Sequence, residues 1–181
     1  GKRIGAEQFQ YARLYHGLVP APEVTAHTVE STLNQFRWLG LRAQEAPPLR
    51  YELHAVERGR MQQTLKGRPY VVIHPASLME TKRWEAARFA EVARVLRKRK
   101  LTIVLTCGPG EEDSVAQVAR DISSTTILLG LSIAELAELI RGARLYIGND
   151  SGPMHLAAAV GTPVVAVWGS SDSRRWRPWR V

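Results

Sequence analysis

From Tyr70 onward, short apolar runs rich in β-branched residues alternate with segments whose apolar residues recur every three or four positions. The first pattern predicts strands and the second predicts helices. The predicted strands cover residues 70–73, 101–106, 126–129, 144–147 and 163–168. The predicted helices cover residues 85–98, 111–121, 132–141 and a short segment after Gly152. Strands alternating with helices require crossover connections, so we predict an α/β fold with a Rossmann-like, doubly wound parallel sheet.

The first 66 residues follow a different pattern. Residues 3–5 are typical of the end of a strand, residues 28–39 of a helix stopped by Gly40, and Pro47-Pro48 of a boundary. We therefore predict that residues 1–46 are the remainder of another domain, 47–69 a connector and 70–181 the sheet domain. The chain begins without Met and stops after a segment rich in Trp and Arg, so we expect it to be part of a longer protein.

The composition indicates an anionic partner. A formal net charge of +8 over 181 residues favours nucleotides, nucleic acid or acidic lipid surfaces. The basic cluster at 94–100 is explained by a helix end, where cations complement the helix dipole. The cluster formed by Arg174, Arg175, Arg177 and Arg180 also contains Trp176 and Trp179, and a solvated helix end explains it less well. A single cysteine excludes an intrachain disulfide, and no signal-like or membrane-spanning apolar run occurs.

The segment Gly148-Asn149-Asp150-Ser151-Gly152-Pro153-Met154-His155 connects a predicted strand to an alanine-rich helix. A helix that opens with Pro in its first turn leaves main-chain N–H groups unpaired, and these attract anions. The segment therefore predicts a phosphate site, and hence a nucleotide. The alternative is an ordinary helix start with Asp150 or Ser151 as the N-cap.

Further candidates follow the other strands, since ligands of open parallel sheets bind at the carboxyl ends of the strands. Ser77 and Lys82 follow the first strand, Glu111 the second and Leu131 the third. Ser77 could instead cap the next helix, and Glu111 could be a first-turn acid. Lys82 could be a solvated first-turn cation, but the helix dipole opposes a cation there, which favours an anionic partner. His155 could be a hydrogen-bonded interior histidine.

Several motifs are missing from the sequence. The His and Cys residues lack zinc spacing, and there is no Asp-x-Asp pair, so we expect no metal. There is no P-loop pattern, since Gly108-Pro109-Gly110 lacks the Gly-Lys-Ser/Thr that should follow, and no G-x-G-x-x-G fingerprint follows the first strand. Cys107 has no base near it in the sequence, which disfavours it as a nucleophile.

Four segments together resemble a known family: HPASLMETKRW, CGPGEE, GNDSGPMHLAAAVGTPVVAVWG and SDSRRWRPW. They are similar to the C-terminal half of bacterial lipopolysaccharide heptosyltransferases, the glycosyltransferase family 9 that uses ADP-heptose. The resemblance extends from about residue 70 to residue 181. It implies a GT-B fold, in which 70–181 is the nucleotide-sugar donor-binding domain and 1–46 the remainder of the N-terminal, acceptor domain. The family's C-terminal helix, which returns across the domains, has no counterpart here.

The resemblance also implies roles for individual residues. Ser77 and Lys82 would contact the donor phosphates, and Lys82 would stabilise the leaving ADP in place of a metal. The family's general base lies in the N-terminal domain, so this fragment would bind the donor without catalysing transfer. The full set of implied donor-binding residues is Ser77, Lys82, Glu111, Leu131, Asp150, Ser151, Gly152 and His155.

The function implied is transfer of heptose from ADP-heptose to the lipid-linked inner-core oligosaccharide of lipopolysaccharide. The resemblance also implies that no cofactor is needed and that the protein lies in the cytoplasm, at the inner face of the inner membrane. Arg174, Arg175 and Arg177 would then contact the acceptor or anionic head groups. One alternative is a GT-B enzyme for another nucleotide sugar, such as an epimerase. The other is a non-catalytic nucleic-acid or anion-binding module, although no nucleic-acid recognition motif occurs.

Overall fold

The structure is a computed structural model that describes residues 3–21, 25–42 and 45–179. The described residues form two compact units. One contains the residues up to Pro48 together with Asp172–Trp179, and the other contains Leu49–Ser171.

The elements are numbered in chain order. The strands are β1 (Ile4–Ala6), β2 (Gly17–Val19), β3 (Tyr70–His74), β4 (Thr102–Leu105), β5 (Thr126–Ile127), β6 (Leu145–Asn149) and β7 (Val164–Val167). The helices are α1 (Thr28–Trp38), α2 (Ala55–Leu65), α3 (Ala86–Lys98), α4 (Glu112–Arg120), α5 (Ile133–Arg141), α6 (Gly152–Ala159) and α7 (Ser173–Trp176). Short 3-10 turns cover Ala12–Leu14 and Glu80–Lys82.

Five parallel strands form the sheet of the larger unit, in the order β5-β4-β3-β6-β7. The chain builds outward from β3 to β5, then crosses back and adds β6 and β7 on the other side of β3. The strand order therefore reverses between β3 and β6, where His74 pairs with Gly148 at the carboxyl ends. Such a reversal opens a crevice, because the two following loops lead away in opposite directions.

The central strands of the sheet are buried on both faces, as continuous apolar strands predict for a parallel sheet. Successive side chains point to opposite faces. Val71 and Ile73 belong to the core beneath α3 and α4. Tyr70 and Val72 belong to the core beneath α2, α5 and α6. The predicted doubly wound α/β architecture is thus confirmed.

Several predicted elements need correction. The segment 47–69, predicted as a connector, contains helix α2, whose Met61 and Leu65 are buried against the second core. Only these two of its eleven residues are buried, Val56 is exposed and Gly59 interrupts the middle, so the helical pattern is weak. The third predicted strand, 126–129, is shorter than expected and consists only of Thr126–Ile127.

The smaller unit contains two predicted elements. The strand expected at 3–5 is β1, which pairs in parallel with β2. The helix expected at 28–39 is α1, and Gly40 follows it with the left-handed φ of +77° that a helix stop requires.

The start of α1 holds the C-terminal segment of the same unit. The Nε2 of buried His27 donates to the Arg177 carbonyl at 2.7 Å, while its Nδ1 accepts the Val29 N–H. The Trp179 ring lies 4.7 Å from the imidazole, and the Thr28 hydroxyl donates to the Arg175 carbonyl. The carbonyls of Arg175 and Arg177 and the ring of Trp179 therefore contact the start of α1 within the same unit.

Candidate functional site

A cleft of about 490 Å³ opens at the carboxyl ends of β3, β4 and β6. Seven of the eight residues that the sequence singled out for a donor line it. They are Ser77, Lys82, Glu111, Leu131, Asp150, Ser151 and Gly152. His155, the eighth, lies half-buried in α6 and is not among the lining residues. One wall is apolar and is formed by Leu131, Ile133 and Leu136.

The start of α6 has the unpaired N–H groups that the sequence predicts. Ser151 occupies the N-cap position, but its side chain does not cap the helix and instead donates to the Asn149 carbonyl at 3.3 Å. Neither the Ser151 nor the Gly152 N–H has an acceptor in the described part of the chain. A Cβ built on Gly152 would meet no atom within 4 Å. The alternative of an ordinary side-chain cap is therefore wrong, and the backbone here is open to an anion.

Lys82 lies beside this helix start. Its Nζ donates to Asp150 Oδ2 at 2.7 Å, with 21% of the Lys82 side chain and 5% of the Asp150 side chain exposed. Lys82 ends the 3-10 turn that precedes α3, whose N-cap is Glu85, so it is not a first-turn cation. The sequence position of Lys82 favoured an anionic partner, and in the structure this partner is the Asp150 carboxylate. An incoming anion would meet the ammonium with this carboxylate beside it.

The turn that carries Lys82 is fixed to the loop after β7. The Thr81 and Ser170 hydroxyls lie 2.9 Å apart, and the Ser170 N–H donates to the Thr81 carbonyl. A Cβ built on Gly169 would collide with the Thr81 carbonyl oxygen and stand 2.9 Å from the Lys82 Cα. Only glycine lets the two backbones approach this closely.

Asn149, which the sequence analysis did not single out, connects β6 to the loop after β3. It is fully buried, its Oδ1 accepts the Trp84 N–H at 3.0 Å, and its Nδ2 donates to the Pro75 carbonyl at 2.8 Å. The sequence did contain a signal for Asn149, since its amide side chain stands at the end of an apolar strand.

Ser77 lies in the same loop after β3, and its main-chain carbonyl accepts a hydrogen bond from Arg83 Nε. Since α3 begins after Glu85, the alternative that Ser77 caps the next helix is wrong.

Glu111 and His74 form the opposite side of the cleft. Glu111 precedes α4, and its carboxylate accepts the Gly108 N–H at 3.0 Å. It lies 3.9 Å from Nε2 of His74, but burial lowers the pKa of His74 to about 4. The imidazole is therefore neutral at pH 7 and the contact is not an ion pair. In the described residues, His74 Nδ1 and the Thr106 hydroxyl are buried without a hydrogen-bond partner. Thr106 was not among the residues predicted from the sequence.

Two other expectations concern nucleophiles and metals. Burial, with the nearby Glu112 and Glu111 carboxylates, raises the pKa of Cys107 to about 11, so its thiol stays protonated at neutral pH. Across residues 3–21, 25–42 and 45–179, no group of three or more His, Cys, Asp or Glu side chains could hold a metal ion. No helix of this described part is long and apolar enough to cross a membrane.

The three arginines of the C-terminal segment differ in their surroundings. Arg174 forms a two-pronged hydrogen bond with Asp172, at 3.1 and 2.9 Å, which raises the pKa of Arg174 and lowers that of Asp172. Arg175 is half-buried, and its Nε has no partner among the described residues. Arg177 is exposed.

The sequence model of glycosyltransferase family 9 (heptosyltransferase) matches residues 2–181. The chain belongs to this family. Among curated relatives, lipopolysaccharide heptosyltransferase 3 of Escherichia coli K12 is 43% identical over 115 residues, which cover 61% of this chain and 33% of that protein. Lipopolysaccharide heptosyltransferase 1 of Pseudomonas aeruginosa is 28% identical over 148 residues, covering 81% of this chain and 41% of that protein. The chain thus spans well under two thirds of their length.

Solved structures of the family agree with the fold. The family 9 glycosyltransferase of Veillonella parvula superposes with a TM-score of 0.83 and 25% identity, over 98% of this chain and 54% of that one. The E. coli heptosyltransferase WaaC with ADP gives a TM-score of 0.64 at 23% identity, over 93% of this chain and 52% of that one. The predicted Rossmann-like domain of a GT-B fold is therefore confirmed.

Proposed function

We propose that this chain is the donor-binding half of a glycosyltransferase that transfers heptose from ADP-heptose to the inner core of lipopolysaccharide. Membership of the family and the lipopolysaccharide heptosyltransferases among its relatives support this. The WaaC structure with ADP supports an adenine nucleotide. The observation that carries the proposal is the pair of open N–H groups at Ser151 and Gly152, beside the Lys82 ammonium at the point where the strand order reverses.

The cleft suits a nucleoside diphosphate in size and in the distribution of its polar groups. Its volume lies within the range of small-molecule sites, about 300–1,000 Å³. The N–H groups and the ammonium would bind the diphosphate, and the Glu111 carboxylate would accept from ribose hydroxyls. Leu131, with Ile133, would lie against the adenine. Asp150 and His155 would shape the loop, and the Ser77 side chain would contact a phosphate.

Lys82 would also act in the reaction. Negative charge grows on the leaving diphosphate as the sugar departs, and a positioned ammonium stabilises that charge. This arrangement requires no metal ion. We place the general base in the N-terminal domain, as the family resemblance implies, and therefore expect this chain alone to bind the donor without transferring the sugar.

The acceptor would be a lipid-linked oligosaccharide at the cytoplasmic face of the inner membrane. Arg174, Arg175 and Arg177 would contact it or anionic head groups. Arg174 and Arg177 are both exposed, and Arg174 is already paired with Asp172. Changing all three to Ser should weaken sedimentation with anionic vesicles. Unchanged sedimentation would remove this contact from the proposal.

Calorimetry with ADP, UDP and GDP, without added metal, tests the donor assignment. We expect ADP to bind most tightly and Lys82→Ala to weaken it by about tenfold or more, since a charge-assisted hydrogen bond contributes about 1.5–3 kcal/mol. Lys98→Ala, which removes an exposed lysine at the end of α3, should leave the affinity unchanged. Preference for UDP would indicate a GT-B enzyme for another nucleotide sugar. Binding to nucleic acid alone, with steep salt dependence, would contradict the proposal.

A further inference from the structure

A second cavity, of about 480 Å³, lies at the other end of the same unit. Its walls come from α2, the segment leading into β3, the end of α5 and the segment leading into β6. It therefore borders the amino ends of β3 and β6, whereas the cleft described above borders their carboxyl ends. No residue that the structure describes lines both cavities.

Four arginines line this second cavity: Arg58, Arg68, Arg141 and Arg144. Among the described residues of its lining, Glu138 is the only acidic one, which leaves these residues a net charge of +3. Arg58 and Arg141 both approach the same carboxylate oxygen, Oε2 of Glu138, at 3.5 and 3.3 Å. Arg68 and Arg144 have no ion pair or side-chain hydrogen bond within the described ranges. Two guanidinium groups thus remain available to an anion.

One carboxylate oxygen of the buried Glu138 accepts no hydrogen bond from the described residues. The side chain of Glu138 is 1% exposed, and its Oε1 has no hydrogen-bond partner among the residues that the structure describes. A buried acceptor without a partner destabilises the folded protein, so a ligand group that donates to it gains affinity. The nearby Tyr70 hydroxyl does not serve, because it donates to the Leu139 carbonyl at 2.6 Å.

From this arrangement we propose a second ligand site, which takes a phosphate group with a neighbouring hydroxyl. The planar guanidinium groups of Arg68 and Arg144 bind the phosphate oxygens, since such forks match phosphate geometry. The hydroxyl of the same molecule donates to Glu138 Oε1. Both a free sugar phosphate and a phosphatidylglycerol head group present this chemistry.

Calorimetry of the full chain with glucose 1-phosphate and with inorganic phosphate tests the site. Saturating ADP occupies the first cleft, so that the titration reports on the second cavity. If ADP does not bind, the same titrations are made on Lys82→Ala, whose first cleft lacks the ammonium. The test of the second cavity therefore remains valid if the proposed function is wrong. We expect glucose 1-phosphate, or phosphatidylglycerol vesicles in a sedimentation assay, to bind. Arg68→Ser with Arg144→Ser should weaken that binding by about tenfold or more.

The matched control is Lys98→Ser with Arg99→Ser, which removes two exposed positive charges at the end of α3. It should retain the affinity within about twofold, because charges outside the site act only through screened long-range attraction. Binding of glucose 1-phosphate assigns the site to a soluble phosphate, and binding of vesicles alone assigns it to a head group. No binding of either, or equal losses in the two double variants, would overturn the proposal. Glucose 1-phosphate binding no tighter than inorganic phosphate would overturn the role of Glu138.

Discussion

We predict that the ion pair between Lys82 and Asp150 stabilises the fold and that Lys82 also binds the ligand. The free energy of unfolding measures the first effect, and the affinity for ADP measures the second. The perturbations are Lys82→Met, which keeps most of the apolar stem, Asp150→Asn, and the two combined. Each single variant leaves one charge of the pair without its partner. The double variant leaves neither.

The expected magnitude follows from the distance and the exposure. At 2.7 Å, and with an effective dielectric constant of about 20, the attraction is about 6 kcal/mol. Desolvation of the two ions offsets most of it, because Asp150 is only 5% exposed and Lys82 only 21% exposed. We expect a coupling of about 1–3 kcal/mol. Lys82→Met should lower the free energy of unfolding by about 2 kcal/mol, because it leaves a buried carboxylate unpaired, and the double variant should lose less.

Urea unfolding of the four proteins, followed by circular dichroism, measures the coupling. Calorimetry with ADP on the same four should show affinity reduced by about tenfold or more wherever Lys82 is absent. Lys98→Met serves as the control for loss of one positive charge. A coupling below about 0.5 kcal/mol would refute the reasoning about the buried pair, since independent sites add within that range. Unchanged ADP affinity in Lys82→Met would refute the phosphate role.

Three further predictions concern single residues. Gly169→Ala should push the main chain at Thr81 and Lys82 aside, lowering the free energy of unfolding by about 1–3 kcal/mol in urea and weakening ADP binding in calorimetry. Ser132→Ala should cost about 1 kcal/mol in urea unfolding, because the capping box with Glu135 at the start of α5 is lost. Burial holds the pKa of His74 near 4 in the folded protein, against 6.5 in the unfolded chain, so the unfolded chain binds the proton first as pH falls. Stability should therefore decline by about 3 kcal/mol between pH 6.5 and pH 4, as measured by urea unfolding across that range.

Each of these has its own control. Gly59→Ala adds a methyl group where no atom lies within 4 Å, inside α2, and should stabilise the protein slightly. If Gly169→Ala and Gly59→Ala change the free energy of unfolding equally, the close approach of Gly169 to Thr81 does not require glycine. Ser132→Asp should restore the cap, and a Ser132→Ala protein as stable as the parent would contradict its role. His74→Gln should remove the part of the pH dependence assigned to the imidazole, and an unchanged profile would assign it elsewhere.

The capping box shows where local sequence was sufficient. Ser132 and Glu135 interact across three residues, so their spacing alone predicts the helix start. The same holds for the helix stop at Gly40, whose positive φ suits glycine. The start of α6 was recognisable too, because a proline in the first turn marks it.

The errors occur where distant residues decide. Helix α2 was missed because its two buried residues matter only once the face of α5 is present to cover them. The partner of Lys82 lies 68 residues away, and Asn149 spans 74 residues to Pro75, so no local pattern reveals either contact. His155, by contrast, was assigned to the site by its position in a motif. It is not among the residues that line the cleft, so its role in shaping the loop stays a prediction.

The sequence by itself determined the alternation of strands and helices, the open helix start at Gly152 and the family, because each depends on residues that are close along the chain. Only the tertiary structure decided which strands are neighbours, since the order β5-β4-β3-β6-β7 results from crossovers that periodicity does not encode. That order brings Ser77, Glu111 and Ser151 to one cleft, and it brings Arg68, Glu138 and Arg144 to the lining of one cavity at the opposite end. Folding decides such sites because they join short segments that are far apart in sequence and meet only in the folded chain.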